Sequence, residues 1–131
     1  MSKLEDFLEL NDVSEIRETI KEKIDGKELE FVIRPMTKEE HAEFQKRCNI
    51  ISKKGQISFD SKKYSDCVLE SCIVEPEFND ESFLKKAKCQ TGSEFINKKF
   101  PAGIVADIVQ KIADLSGFET LDAEIEEAKN W

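Results

Sequence analysis

The sequence predicts an α+β fold in which an N-terminal β-hairpin or small antiparallel sheet packs against a mainly helical C-terminal two-thirds. Around residue 25, apolar and polar residues alternate on either side of an Asp-Gly pair, which is typical of two strands joined by a tight turn. After Pro35, apolar residues recur at intervals of three and four between capping residues, as they do in short helices. A chain of 131 residues suits one domain.

The N-terminal part of the chain divides into an amphipathic segment and the hairpin. Leu4, Phe7 and Leu8 have the i, i+3, i+4 spacing of a short amphipathic turn or helix, which we place in a detachable segment, residues 1–12. Residues 16–34 form the hairpin, with Gly26 supplying the positive φ that a tight turn requires. Pro35 ends the second strand because proline cannot donate a ladder hydrogen bond.

Two helices are predicted in the middle of the chain. Thr37 and Glu40 have the spacing of a capping box, which starts a helix that runs to about residue 48. The polar stretch 52–58 is either a loop or a frayed hairpin tip. Asp60 or Ser61 starts the second helix, which we expect to end at residues 75–76, since a residue before proline is disfavoured in the α region.

The last third of the chain is predicted to be helical. A short helix starts at residues 79–80 and is broken by Gly92, and another short segment follows through residues 95–100. After Pro101 comes a wide apolar stripe that predicts the central core helix, with Gly117 as its C-cap. The stripe consists of Ile104, Val105, Ile108, Val109, Ile112 and Leu115. We therefore predict a single domain over residues 1–117 and an acidic tail over residues 118–131.

The charge distribution argues against nucleic acid as a partner. The net charge is −8, and residues 1–34 and 117–131 contribute −4 each, which leaves the middle of the chain neutral. Acidic ends repel phosphate backbones. No apolar run approaches the roughly 18 residues of a membrane span, and the acidic N-terminus does not look like a signal peptide. We expect a cytoplasmic protein with no membrane association.

The sequence offers no catalytic or metal-binding pattern, so we expect no enzyme activity, no metal and no cofactor. The four cysteines contain no C-x-x-C pair, and we interpret them as buried or idle reduced thiols. His41 is the one histidine and is interpreted as an exposed surface residue. Motifs for phosphate loops, nucleophile elbows, zinc proteases and dinucleotide binding are absent from the sequence.

Several segments, taken in order, resemble a known family. The strand-then-helix stretch "GKELEFVIRPMTKEEHAEFQKRC" (residues 26–48) resembles the XkdN-like phage tail assembly chaperones. The stretches "LEDFLEL" (4–10), "CVLESCIVEPEFND" (67–80) and "FINKKFPAGIVADIVQKIADLSGF" (95–118) occur in the same order as in that family. The resemblance covers nearly the whole chain.

The resemblance implies a protein-binding role during tail assembly in the bacterial cytoplasm. Such chaperones coat the tape-measure protein, the long and largely helical chain that sets tail length, until tail-tube subunits replace them. They are absent from the mature particle. The expected partners are therefore the tape-measure protein, the tail-tube protein and a second copy of the chain itself. The family supplies no site residues to transfer to this chain.

Two apolar segments are our own candidates for partner binding. The first is Leu4, Phe7 and Leu8, which dock on a partner or on a neighbouring copy, or else cover the domain's own core. The second lies in the acidic tail and binds a partner, or else serves as an apolar anchor or a disordered end. Its apolar residues are Phe118, Leu121, Ile125 and Trp131.

The end of the chain suggests a second, longer product. Chaperones of this class are often made in two lengths through a −1 ribosomal frameshift. Residues 128–130, Ala-Lys-Asn, can be encoded as GCA AAA AAC, which contains the slippery heptamer A AAA AAC.

Two alternative functions are also compatible with the sequence. One is a structural tail or head-completion component, and the other is an acidic regulatory module that binds a basic protein.

Overall fold

The computed structural model describes residues 3–118. Over this range, the chain forms helices and short strands arranged as an α+β domain, as the sequence predicts. In chain order, the elements are α1 (Lys3–Leu8), a 3-10 turn (Val13–Glu15), β1 (Glu18–Ile24), β2 (Lys27–Ile33), α2 (Lys38–Cys48), β3 (Asn49–Ile51), β4 (Ile57–Phe59), α3 (Ser61–Cys72), β5 (Ile73–Glu75), α4 (Glu81–Ala87), α5 (Gly92–Lys99) and α6 (Ala102–Leu115).

The predicted hairpin is confirmed. Strands β1 and β2 pair in antiparallel register from Glu18 opposite Ile33 to Ile24 opposite Lys27. Asp25 and Gly26 form the connection with φ angles of 52° and 76°, the two positive values that a type I′ turn requires. Alternate residues of β1 and the end of β2 face the core, so one face of the hairpin is buried and the other is exposed.

A third strand joins this hairpin and corrects the predicted end of α3. The helix ends at Cys72 rather than at residues 75–76, and β5 pairs antiparallel with β2, with Ile73 opposite Ile33. Two β-branched residues in succession favour an extended backbone, and the open edge of β2 supplies the ladder. The backbone N–H of Arg34 donates to the carbonyl of Cys72 at 3.0 Å, which fixes the start of β5 beside the end of β2.

The prediction that Gly92 breaks a helix is wrong. Helix α4 already ends at Ala87, where Lys88 takes a left-handed conformation with φ of 58°. Gly92 is instead the first residue of α5, which Thr91 caps by accepting a hydrogen bond from the Glu94 backbone. Glycine is required at this position because Phe78 and Asn79 of the preceding loop approach it closely.

Several predicted helix starts are confirmed by their capping hydrogen bonds. Thr37 and Glu40 form the reciprocal capping box of α2. Asp60 caps α3 and Asp80 caps α4, each by accepting a backbone N–H three residues on. The polar stretch 52–58 comprises the tip of a hairpin, residues 52–56, and the first two residues of β4, which pairs with β3.

The core lies between the three-stranded sheet and helices α2, α3, α5 and α6. Tyr64, Val68 and Cys72 of α3 are completely buried at its centre. The predicted core stripe of α6 is confirmed: Ile108, Val109 and Ile112 are buried, and the remaining residues of the stripe pack partly against the core. Gly117 follows α6 with φ of +93°, in the C-terminal position that the sequence predicts.

The α-helices of the described residues are between 6 and 14 residues long. Within residues 3–118, none combines the length and the apolar character that crossing a bilayer requires.

Candidate protein-binding groove

A cavity of about 450 Å³ opens beside the β1–β2 turn. One wall is the hairpin, with Leu29 at the mouth and Phe31 deeper, and the opposite wall comes from the loop after β5 and from α4 and α5. Five phenylalanines, from all of these elements, provide most of its apolar lining: Phe31, Phe78, Phe83, Phe95 and Phe100. We call this cavity the aromatic groove.

We call the five phenylalanines that line the groove the aromatic wall, and Phe78 lies at its centre. Its ring lies 5.8 Å from that of Phe95 in a stacked arrangement and 6.0 Å from that of Phe83. It also lies 6.2 Å from Phe31 and 6.1 Å from Phe100. These separations fall within the range in which aromatic pairs contribute roughly 0.5–1.5 kcal/mol beyond their buried area. The wall is therefore held in shape by its own ring contacts.

The loop that carries Phe78 is fixed by hydrogen bonds to α3 and α5. The Asn79 side-chain amide donates to the Glu70 carbonyl at 3.2 Å, and its oxygen accepts from the Gly92 backbone N–H at 3.0 Å. A Cβ on Gly92 would lie 2.9 Å from the Phe78 Cβ and 2.8 Å from the Asn79 side-chain oxygen. The absence of a side chain at Gly92 therefore lets this loop close against α5.

The rim of the groove is charged. Asp25, Glu30 and Glu77 supply carboxylates, and Lys27 and Lys99 supply ammonium groups on opposite walls. All five residues are exposed. An apolar floor with a charged, solvated rim is the usual anatomy of a surface that binds another protein or an apolar side chain.

The structure places the first predicted binding segment outside this groove. Leu4, Phe7 and Leu8 lie on α1 with exposed fractions of 73%, 66% and 84%, so they do not cover the domain's core. In the predicted tail site, Phe118 is half-buried and packs against the core. Leu121, Ile125 and Trp131 lie outside the described residues. Of the predicted site residues that the structure describes, none lines the groove.

Sequence reasoning missed the groove, although a signal was present. Phe78, Phe83, Phe95 and Phe100 lie within 23 consecutive residues, more aromatic surface than the two short helices of that stretch need for packing. Phe78, Phe83 and Phe95 remain half-buried. An excess of phenylalanine in a stretch of short helices and loops was the available indication of an open apolar surface.

The four cysteines and His41 do not line the groove. Burial raises the pKa of Cys48 to about 12 and also raises that of Cys67, so these thiols are poor nucleophiles. The expectation that His41 is an exposed surface residue is wrong: it is half-buried, with Nδ1 3.1 Å from the Tyr64 hydroxyl and its ring 5.5 Å from that of Phe118. Within residues 3–118, no three His, Cys, Asp or Glu side chains are placed to hold a metal ion.

An ion pair joins the end of strand β2 to helix α2. Arg34 donates to both carboxylate oxygens of Glu40 at 2.7 Å, which ties the end of β2 to the first turn of α2. These hydrogen bonds, with help from the capping contacts of Thr37, lower the pKa of Glu40 to about 2. The pair has a structural role and does not face the aromatic groove.

Comparison with known proteins identifies the family. No curated protein sequence gives a significant match. The crystal structure of the protein yqbn is similar in fold, with a TM-score of 0.59 and 17% identity over 79% of this chain and 87% of that one. The model of the phage XkdN-like tail assembly chaperone family matches residues 4–129. The resemblance inferred from the sequence is thereby confirmed, and the chain belongs to the XkdN-like family of phage tail assembly chaperones.

Proposed function

We propose that this protein binds the tape-measure protein during tail morphogenesis and keeps it soluble in the bacterial cytoplasm until tail-tube subunits replace the chaperone. Family membership supports a helper role in tail assembly rather than catalysis. The aromatic groove is the observation that carries the tape-measure step of the proposal. It offers an apolar side chain of a client a preformed site on an acidic, soluble carrier.

The size of the groove suits reversible binding. A cavity of about 450 Å³ accepts a few side chains rather than a whole helix. An amphipathic helix presents such side chains at i, i+3 and i+4, and their burial in an apolar groove is a recurring recognition mode. Many copies can then cover a long client through separate small contacts, each of which a tube subunit can replace.

The charges of the chaperone suit the same task. A net charge of −8 maintains the solubility of the complex when apolar client segments are covered. Small apolar contacts with a charged rim give affinity without the large buried area of an obligate interface.

Co-expression with the tape-measure protein tests this function. We expect the tape-measure protein to stay in the soluble fraction and to co-purify with the wild-type chain. Leu29→Asp, which places a charge at the mouth of the groove, should reduce both. Ile57→Asp is the matched control because Ile57 is also an exposed strand residue, at 63%, but does not line the groove.

Two results would refute the proposal. The first is a tape-measure protein that is equally soluble with and without the chaperone. The second is a stoichiometric amount of this chain in purified mature particles, measured by mass spectrometry, which would favour a structural tail component instead.

The acidic tail is a second contact in this proposal. Replacing Leu121 and Ile125 by Asp should weaken capture of the tape-measure protein without unfolding residues 1–117. Unchanged co-purification of the double variant would remove the tail from the binding surface.

The proposal also includes a longer product made by a −1 frameshift at residues 128–130. The codons of the gene test this step directly. The heptamer A AAA AAC followed by an open −1 frame is expected, and the absence of either excludes the longer product.

A further inference from the structure

We propose that α1 of one copy docks in the aromatic groove of a second copy, so that the free chaperone forms a reciprocal dimer in which each groove is covered. The contact is between Leu4, Phe7 and Leu8 of one chain and the phenylalanine-lined floor of the other. This inference goes beyond the proposed function because it concerns two copies of the chain and requires no tape-measure protein.

The donor is a helix whose apolar side chains are largely exposed. Residues 4–10 are all exposed, and the three apolar residues of α1 have exposed fractions between 66% and 84%. A helix of six residues is marginal in water, because nucleation is costly and most helical stability in proteins comes from packing of the apolar face. Helix α1 therefore gains most of its stability when that face is covered by another surface.

The acceptor is the aromatic groove. Its floor is preformed, since the ring contacts of Phe78 and the hydrogen bonds of Asn79 hold the wall in place. Leu29 at the mouth is 38% exposed and available to a docked helix. The cavity is large enough for more than one side chain and too small for a folded domain. One turn of an amphipathic helix, carrying Phe7 and Leu8 side by side, fits these limits.

The position of the groove favours a second copy over the chain's own α1. The chain enters β1 at Glu18, whereas the groove lies at the opposite end of the hairpin, beside Asp25. At about 3.3 Å per residue, the seven-residue strand separates the two ends by roughly 20 Å. The connecting residues are shortened by the 3-10 turn, where Glu15 donates to Asp12 at 2.9 Å. The helix of a neighbouring copy has no such restriction.

The charges of α1 and of the groove rim leave the apolar contact as the main source of binding. Helix α1 and the residue after it carry three acids, Glu5, Asp6 and Glu9. Lys27 and Lys99 stand on opposite walls of the groove, and within residues 3–118 neither forms an ion pair. Three carboxylates also lie on the rim, so its two lysines and three carboxylates sum to −1, and the docking of α1 depends on the apolar contact.

One contact between α1 and a groove buries little surface, whereas two such contacts bury enough for a stable dimer. At roughly 150–200 Å² per large apolar side chain, the three residues of α1 and the groove surface that they cover amount to about 1,000 Å². Two such contacts in a reciprocal dimer amount to about 2,000 Å², within the range of specific and stable interfaces. A single contact falls near the lower limit, which favours the reciprocal arrangement over an open chain.

Sedimentation velocity over a range of concentrations tests the dimer with three variants. The wild-type chain should dimerise, whereas Phe7→Asp removes the donor and Leu29→Asp blocks the acceptor, and each should weaken dimerisation at least tenfold. Ile57→Asp should leave dimerisation unchanged. Circular dichroism of each variant checks the fold, which we expect to be retained because all three residues are exposed.

Mixing the two defective variants gives a result specific to this geometry. An equimolar mixture of Phe7→Asp and Leu29→Asp chains contains one intact helix and one intact groove per pair, so a heterodimer should form, more weakly than the wild-type dimer. A peptide of residues 1–12 should bind the Phe7→Asp protein, and the same peptide with Phe7→Asp should not.

Three results would overturn the inference. The first is a wild-type chain that stays monomeric at every concentration, which includes the case in which each α1 occupies its own groove. The second is a dimer that survives both Phe7→Asp and Leu29→Asp, which would place the interface elsewhere. The third is a mixture of the two folded variants that forms no heterodimer.

Discussion

Replacing Gly92 by alanine tests whether the loop that carries Phe78 is held against α5 as tightly as the structure indicates. An alanine Cβ at this position would lie 2.8 Å from the Asn79 side-chain oxygen, 2.9 Å from the Phe78 Cβ and 3.1 Å from the Phe78 backbone carbon. Two of these three atoms belong to the backbone or to a Cβ. The contact therefore cannot be relieved by rotation of a flexible side chain and must move the loop.

The expected loss of folding stability follows from the backbone movement that the added methyl group requires. Insertion of a methyl group into a packed site costs about 1–3 kcal/mol when the surrounding backbone has to shift. For a chain of this length, each kcal/mol lowers Tm by about 3–5 °C, so the melting temperature should fall by about 3–15 °C. Because the displaced loop carries the central ring of the aromatic wall, Gly92→Ala should also weaken binding in the groove.

Thermal unfolding followed by circular dichroism measures the stability change, with Gly103→Ala as the matched control. Gly103 lies in α6, and a Cβ there would meet no atom within 4 Å. Its replacement should be neutral or should raise stability by up to about 1 kcal/mol, since alanine is the better helix former. Equal melting temperatures for the two variants would show that the loop yields freely and that the aromatic wall is not preformed.

Three further predictions concern the framework. Glu40→Gln keeps the capping hydrogen bonds of α2 but removes the ion pair with Arg34, and should lower the free energy of unfolding by about 1–2 kcal/mol at pH 7. Since the pKa of Glu40 is lowered from 4.5 to about 2, the wild-type advantage should be complete above pH 4.5 and should disappear as pH falls through 2, in urea titrations at each pH. Ellman's reagent should modify Cys89 quickly and the three buried thiols only in denaturant; modification of all four thiols in the native protein would contradict the burial. Ile112→Ala should cost about 2–5 kcal/mol in urea titrations, whereas Leu8→Ala should change the monomer's stability by less than about 0.5 kcal/mol.

Elements with a local cause could be predicted from the sequence. The hairpin follows from alternation around Asp25-Gly26, because its turn needs only two residues with positive φ. The start of α2 follows from Thr37 and Glu40, whose side chains satisfy backbone groups three residues away. In each case the interacting residues are only a few positions apart, so the pattern that they form can be recognised in the sequence.

Elements that depend on distant partners could not be predicted in the same way. Strand β5 has three residues and exists because β2 offers it an open edge some 40 residues earlier in the chain. Gly92 was interpreted as a helix breaker from its backbone freedom, whereas its position is explained by contact with Phe78 and Asn79. His41 faces Tyr64 and Phe118 rather than solvent, although its own helix is rich in charge. Tertiary contacts decide all three.

The candidate site depends on tertiary contacts most of all. Periodicity indicates which side of a helix faces inward, and it can assign Phe83 and Phe95 to buried faces. It cannot indicate that Phe78, in a loop without periodicity, stands between them, or that the wall they form stays open on one side. The predicted site on α1 was accessible to sequence reasoning because its apolar residues lie within one turn of helix, yet the groove that could receive it was not.

The aromatic groove is open in the single chain, so a site proposed to bind clients has to be kept from collapsing and from binding indiscriminately. Collapse is opposed here because the rings of the wall already contact one another and Phe78 is anchored through its loop, so an empty groove loses little packing. Indiscriminate binding is limited by the rim, where five charged side chains surround a small floor and disfavour any occupant that cannot keep them solvated. A preformed groove also avoids the ordering cost that a flexible site would incur on binding. In the proposed function, rigidity and small size therefore have the same consequence: each contact with a client forms readily, and each remains weak enough to be replaced.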